Sequence, residues 1–175
     1  MTRNGWIRQM TSITPRDSYT AAMTDERAIT AADGLGLRYQ VTRHGPVSSL
    51  EEAAAARGLA PSQVIKTIVV RLSDGDYRFV LVPGGREISW PKLRSVLGVS
   101  RMSMPSADVA LAVTGYVRGT ITPLGSTEAW PVIADESLRG DVSIGGGAHG
   151  VALTVDAAEL VRVLEATVAD VTDPA

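Results

Sequence analysis

The sequence contains no cysteine, and its only histidines are His44 and His149. A disulfide-stapled scaffold is thereby excluded, and a zinc site of the usual Cys/His kind has too few ligands. Aromatic residues are also scarce: three Trp, four Tyr and one Phe are too few for a stacking platform along single-stranded nucleic acid. No apolar run approaches the roughly 18 residues of a membrane-spanning helix. The first residues, Met1-Thr2-Arg3-Asn4-Gly5-Trp6, lack the apolar centre of a secretory leader, so a cytoplasmic protein is expected. Neither sign of charge dominates, since 17 basic and 19 acidic residues leave a net charge of −2. Neither a Gly-x-Ser-x-Gly elbow nor a Gly-x-x-x-x-Gly-Lys-Ser/Thr phosphate loop occurs.

What is there fits one globular domain: 175 residues, 45% of them hydrophobic, with a mean hydropathy of +0.09. Charge is unevenly spread. From Arg57 to Arg118 nine basic residues stand against four acidic ones, a net of +5, and the remainder of the chain is acidic. This pattern fits either an ordinary solvated surface or one positive face able to meet a phosphate backbone. Residues 1–30 are polar and without period, and are read as a flexible extension ahead of a domain over residues 31–172.

Local signals then alternate between strand and helix. Leu37 to Thr42 alternates like a half-buried strand. Ser49-Leu50-Glu51-Glu52 is a capping box opening a helix that stops at Gly58. The run from Val64 to Leu72 is the strongest strand signal, and Ser73-Asp74-Gly75-Asp76 turns it into a partner over Tyr77 to Val82. A helix follows Ser89-Trp90-Pro91 and closes at Gly98, and a shorter one runs from Ser106 to Gly115. Short strands are expected at Trp130–Ala134, Val142–Ile144 and Val151–Val155. Asp156 then caps a last helix that places Leu160, Val163, Leu164 and Val168 on one face. The fold class expected is α+β, with a mixed, largely antiparallel central sheet flanked by helices.

Four features could carry chemistry. Lys66, one of only two lysines, interrupts an apolar strand; its ammonium either reaches out from an edge or is held towards an anion. The stretch from Gly115 to Gly125 (Gly-Tyr-Val-Arg-Gly-Thr-Ile-Thr-Pro-Leu-Gly) is a rigid loop, either a plain turn or one presenting backbone amides to an oxyanion. Asp135 ends a strand, a place for a functional carboxylate or for a turn residue. His149 lies in Gly145-Gly146-Gly147-Ala148-His149-Gly150, where it faces a pocket or is incidental. That hexapeptide matches the dinucleotide pattern Gly-x-Gly-x-x-Gly, but a strand follows it. With no helix N-terminus to receive a pyrophosphate, the nucleotide reading is rejected.

Taken together, Gln63-Val64-Ile65-Lys66-Thr67, Val82-Pro83-Gly84, the Gly115–Gly125 loop, Asp135-Glu136 and Gly147-Ala148-His149-Gly150 resemble the YbaK family. This family comprises aminoacyl-tRNA deacylases related to the editing domain of bacterial prolyl-tRNA synthetase. The resemblance implies a hydrolase, free of metal and cofactor, that cleaves the ester between a wrong amino acid and the 3′-terminal adenosine of tRNA. It implies catalytic roles for Lys66, Gly119 and Asp135. Substrate contacts are implied for Gly115, Tyr116, Thr120, Ile121, Thr122, Pro123, Gly147 and His149. The expected partners are the aminoacyl-tRNA acceptor end and an aminoacyl-tRNA synthetase, with no membrane. Ala148-His149, and the lack of lysines in Ser126-Thr127-Glu128, depart from the cysteine-specific members. The expected substrate is therefore a tRNA carrying a small residue of the Ala, Cys, Ser or Thr class. The rival readings are a non-catalytic module that binds the aminoacyl end or regulates a synthetase, and a hydrolase of small esters.

Overall fold

The computed structural model describes residues 15–175, with side chains from Thr24 onward. In chain order the helices are α1 (Pro15–Gly34), α2 (Leu50–Ala56), α3 (Trp90–Leu97), α4 (Ala107–Thr114) and α5 (Ala157–Val163). The strands are β1 (Tyr39–Arg43), β2 (Ile65–Ser73), β3 (Asp76–Pro83), β4 (Arg86–Ile88), β5 (Val132–Asp135), β6 (Asp141–Gly145), β7 (Val151–Asp156), β8 (Thr167–Ala169) and β9 (Thr172–Pro174).

The strands form a four-stranded sheet in the order β2-β3-β5-β8, a three-stranded sheet in the order β1-β7-β6, and the pair β4-β9. Pairing is antiparallel except at β3–β5 and β5–β8, which are parallel. This is the mixed, largely antiparallel α+β arrangement expected. β3 is buried almost end to end because both of its faces are covered. One face sends Phe79 and Leu81 into a core shared with Val69, Ala134, Ile144 and Leu153. The other sends Val80 and Val82 against Val70, Ile133, Leu93 of α3 and Val171. The period of two along a strand is what sorts these neighbours onto opposite faces.

The caps behave as their residues dictate. Ser49 Oγ accepts from the Glu52 amide at 3.1 Å, while the Glu52 carboxylate reaches one residue further back, to the Ser48 amide at 2.7 Å. Ser106 and Asp156 cap α4 and α5 in the same way.

Two expectations need correction. The first is the flexible extension over residues 1–30. Residues 1–14 lie outside those described, but α1 runs from Pro15 and buries Ala28 and Ala32 in the main core. Their i, i+4 spacing puts both methyls on one stripe, a signal too narrow to stand out in a polar segment.

The second is the last helix, which ends before Val168. Leu164 is its C-cap and Glu165 follows at φ +51°. The Glu165 amide then bonds Arg162 O and the Ala166 amide bonds Val161 O, a Schellman closure. Val168 therefore lies in β8, half exposed, rather than on the helix face. With glutamate where glycine usually marks the turn, the sequence carries no stop signal there.

Candidate active site

β2 is an edge strand, and its outer edge is only partly covered. Val64 forms a bridge with Ser143 at one end, and Arg71 pairs with Ser103 at the other. Between these bridges the strand borders a cleft of about 590 Å³. Lys66, Thr67, Ile68 and Val69 form one wall, and Arg118, Gly119 and Ile121 of the glycine-rich loop form another. Met104, Pro105, Ala107 and Ala110 close the remaining side with apolar surface. Lys66 is exposed, and its Nζ donates to Arg86 O at 2.8 Å. One hydrogen bond leaves two ammonium protons for an anion in the cleft.

The loop is rigid because it is bonded to itself. The Thr120 amide and hydroxyl both donate to Val117 O, at 3.0 and 2.8 Å. Thr122 Oγ1 accepts from the Leu124 amide at 3.3 Å, and the Tyr116 hydroxyl donates to Leu124 O at 2.6 Å. These bonds leave Gly119 exposed at the tip with φ +90°, a conformation that suits glycine. Among the described residues, the Gly119 and Ile121 amides have no hydrogen-bond partner. With the Arg118 amide, which likewise has no partner among the described residues, they are the cleft-lining donors this loop can offer to a developing oxyanion.

α1 clamps the loop from behind. Arg27 Nε donates to Gly125 O at 2.7 Å and Nη2 donates to Gly115 O at 3.1 Å. Its guanidinium lies 4.4 Å from the centre of the Tyr116 ring. Burial raises the Tyr116 phenol above its ordinary pKa, against the opposing pull of Arg27. Gly147, at φ +86°, packs so closely on this unit that a Cβ there would stand 2.8 Å from Tyr116 Cε1. A Cβ on Gly119 would likewise stand 3.3 Å from His149 Cε1, so the exposed His149 ring flanks the loop tip. His149 also borders a second hollow of about 390 Å³, with His44 and Gly150. There the Arg57 Nε donates to His44 Nε2 at 3.4 Å.

The residues singled out in the sequence thus fall into three groups. Lys66, Gly119 and Ile121 meet in the cleft, with His149 at the loop tip. Gly115, Tyr116, Thr120, Thr122 and Gly147 build the loop and its support from behind; Tyr116 and Thr122 are fully buried, so neither presents a side chain to the cleft. Pro123 is half-buried beside them.

Asp135, expected as catalytic, stands apart from the Lys66 cleft, and its oxygens are engaged within the fold. Its carboxylate accepts from the Ser137 amide at 3.0 Å and from the Ser137 hydroxyl. It also accepts from the Val171 amide at 3.1 Å and the Thr172 hydroxyl at 2.8 Å. Burial alone would push this carboxyl up, but the four hydrogen bonds outweigh it and hold the pKa below the ordinary value. A strand-end aspartate reads the same whether it faces a cleft or ties two segments together. Sequence reasoning gave no place in the site to Arg27, Arg118 or Thr67. Arg27 acts across 98 residues of sequence, which no local pattern shows. Thr67 Oγ1 is buried at the cleft wall without a partner among the described residues.

A family profile, the aminoacyl-tRNA editing domain, matches residues 44–163. The chain belongs to this family. A proline–tRNA ligase of Geobacter sp. (strain M21) is 36% identical over 92 residues, which cover 53% of this chain and 16% of that protein. The chain therefore spans only a small part of the length of the curated relatives it matches. Among solved structures, a hypothetical protein superimposes with a TM-score of 0.77 at 26% identity, covering 84% of this chain and 99% of the other. A proposed trans-editing enzyme for prolyl tRNA synthetase superimposes with a TM-score of 0.80 at 23% identity, covering 93% and 99%, and shares the fold of this editing domain. Among the described residues, no helix is long and apolar enough to cross a membrane, and no three His, Cys, Asp or Glu side chains group as metal ligands.

Proposed function

We propose that this editing domain hydrolyses the ester of a mischarged aminoacyl-tRNA, acting in trans on a tRNA that carries a small amino acid of the Ala, Cys, Ser or Thr class. The observation that carries this reading is the cleft that Lys66 lines together with the Gly119 loop and its unpaired amides. In it, the Lys66 ammonium attracts a phosphate or hydroxyl oxygen of the terminal nucleotide. The Gly119 and Ile121 amides receive the carbonyl oxygen as water adds to it. That addition forms the tetrahedral intermediate, and its collapse expels the ribose oxygen, which takes up a proton to give free tRNA and free amino acid. The protein's share is orientation and charge stabilisation. Small side chains suit the apolar wall of Met104, Pro105, Ala107 and Ala110, and a pocket excludes larger residues by size more readily than it rejects smaller ones. In this reading His149, beside the loop tip, orients the substrate.

The reading is tested with tRNAs charged with Ala, Cys, Ser, Thr and Pro and labelled at the 3′ end. Release from one or two of the small-residue species, and little from the Pro species, is the expected result. No release from any of them by folded protein would favour the non-catalytic binding module.

A further inference from the structure

Beyond Val69, the same edge of β2 borders a second concavity of about 470 Å³, whose lining includes Arg71, Arg94, Arg101, Ser73, Ser100 and Ser103. It adjoins the cleft described above, because one short segment serves both. Ser103 pairs with Arg71 through N–H···O bonds of 2.8 and 3.0 Å, while the next residues, Met104 and Pro105, wall the Lys66 cleft.

The charge in this concavity is poorly compensated. Arg71 has one ion-pair partner, Asp74, which is itself 94% exposed. Arg71 Nε is buried and has no hydrogen-bond partner among the described residues. Arg94 and Arg101 carry no ion pair among the described residues. Three arginines thus line one hollow with a single carboxylate, Asp74, paired among them, which leaves a net positive charge for an anion to meet. Arginine forks and serine hydroxyls together are a donor set suited to phosphate oxygens.

The spacing narrows the choice of anion. At about 3.3 Å per residue, Arg71 lies about 17 Å along β2 from Lys66. A small anion cannot occupy both hollows at once, whereas a nucleic-acid strand carries phosphates at intervals along that path. We propose that Arg71, Arg94 and Arg101 form a phosphodiester seat for the RNA backbone that leads to the aminoacyl end held in the Lys66 cleft. This assignment rests on the deacylase reading for its direction, but its test does not depend on hydrolysis.

The test measures binding of an uncharged, CCA-ended acceptor-stem hairpin RNA to the full chain between 50 and 300 mM salt. The Arg94→Ala/Arg101→Ala pair is compared with wild type and with Arg139→Ala/Arg162→Ala, which removes equal charge elsewhere. Neither Arg94 nor Arg101 has an ion-pair partner among the described residues, and circular dichroism and a thermal melt confirm the fold. The first pair is expected to weaken binding at least tenfold at low salt and to lower the log Kd against log salt slope by about 1 to 2. The control pair is expected to change the affinity less than threefold. Turnover of a short aminoacyl-adenosine ester is expected to be equal in wild type and the Arg94/Arg101 variant. Unchanged RNA affinity and slope, equal losses in both pairs, or no RNA binding by wild type at 50 mM salt would each overturn the seat. Absence of ester hydrolysis alongside an intact Arg effect would overturn the deacylase reading alone.

Discussion

Asp135 shows how one carboxylate holds two distant segments of the chain together. Its oxygens accept from Ser137, on its own strand end, and from Val171 and Thr172, near the C-terminus. An asparagine there keeps one acceptor but turns an amide NH₂ towards groups that also donate. Asp135→Asn is therefore expected to lower stability by about 2–4 kcal/mol near neutral pH, read by denaturant unfolding. Because the folded-state pKa is held down, the ionised carboxylate contributes stability above its unfolded pKa of about 3.9, and this is lost as pH falls through the lower folded value. The gap between wild type and Asp135→Asn should accordingly narrow in acid, and a gap that stays constant would contradict the assignment. At this scale the sequence was legible where a residue's role is local. Ser49, Ser106 and Asp156 are caps as read, and Gly98 and Gly115 close their helices in the left-handed conformation. It was illegible where the partner is remote: nothing near Asp135 points to Val171, 36 residues away.

At the scale of elements, α1 and the glycine-rich loop act as one unit. Two carbonyls of the loop, Gly115 O and Gly125 O, converge on the one guanidinium of Arg27, which also covers the Tyr116 ring. Arg27→Ala removes both bonds from a loop whose tip carries Gly119. It is expected to lower kcat about tenfold, about 1.4 kcal/mol of barrier, with a much smaller change in KM. Arg27→Lys should restore little, since a single ammonium cannot reproduce the planar fork that spans the two carbonyls. A purely structural role would instead show as a lowered melting temperature with kcat unchanged in the folded fraction. The longer strands β2, β3 and β7 were read well because they are apolar runs bounded by turn residues, whereas the three-residue pair β4 and β9 carried no such signal. α1 was missed because its buried stripe rests on alanines in a polar segment, and β8 because Glu165 hides the end of α5.

Across the whole molecule, the basic middle of the chain is where the two hollows along β2 lie. Lys66, Arg118, Arg71, Arg94 and Arg101 all belong to the Arg57–Arg118 segment with its net charge of +5. The acidic remainder neutralises part of this segment, since Asp170 and Asp173 near the C-terminus both pair with Lys92. Sequence alone left open whether this charge asymmetry was a solvated surface; the fold brings five of the nine cations, Lys66, Arg71, Arg94, Arg101 and Arg118, to the two hollows beside β2. The account turns on Lys66, which is exposed and held by one bond to a backbone carbonyl, so its removal should leave the fold intact. The most direct test is single-turnover deacylation of a mischarged tRNA by wild type and by Lys66→Ala, with thermal melts of both. The account predicts rapid release by wild type, a loss of at least 100-fold in the variant (about 2.7 kcal/mol of transition-state stabilisation) and matching melts. Equal rates in the two folded proteins would contradict it.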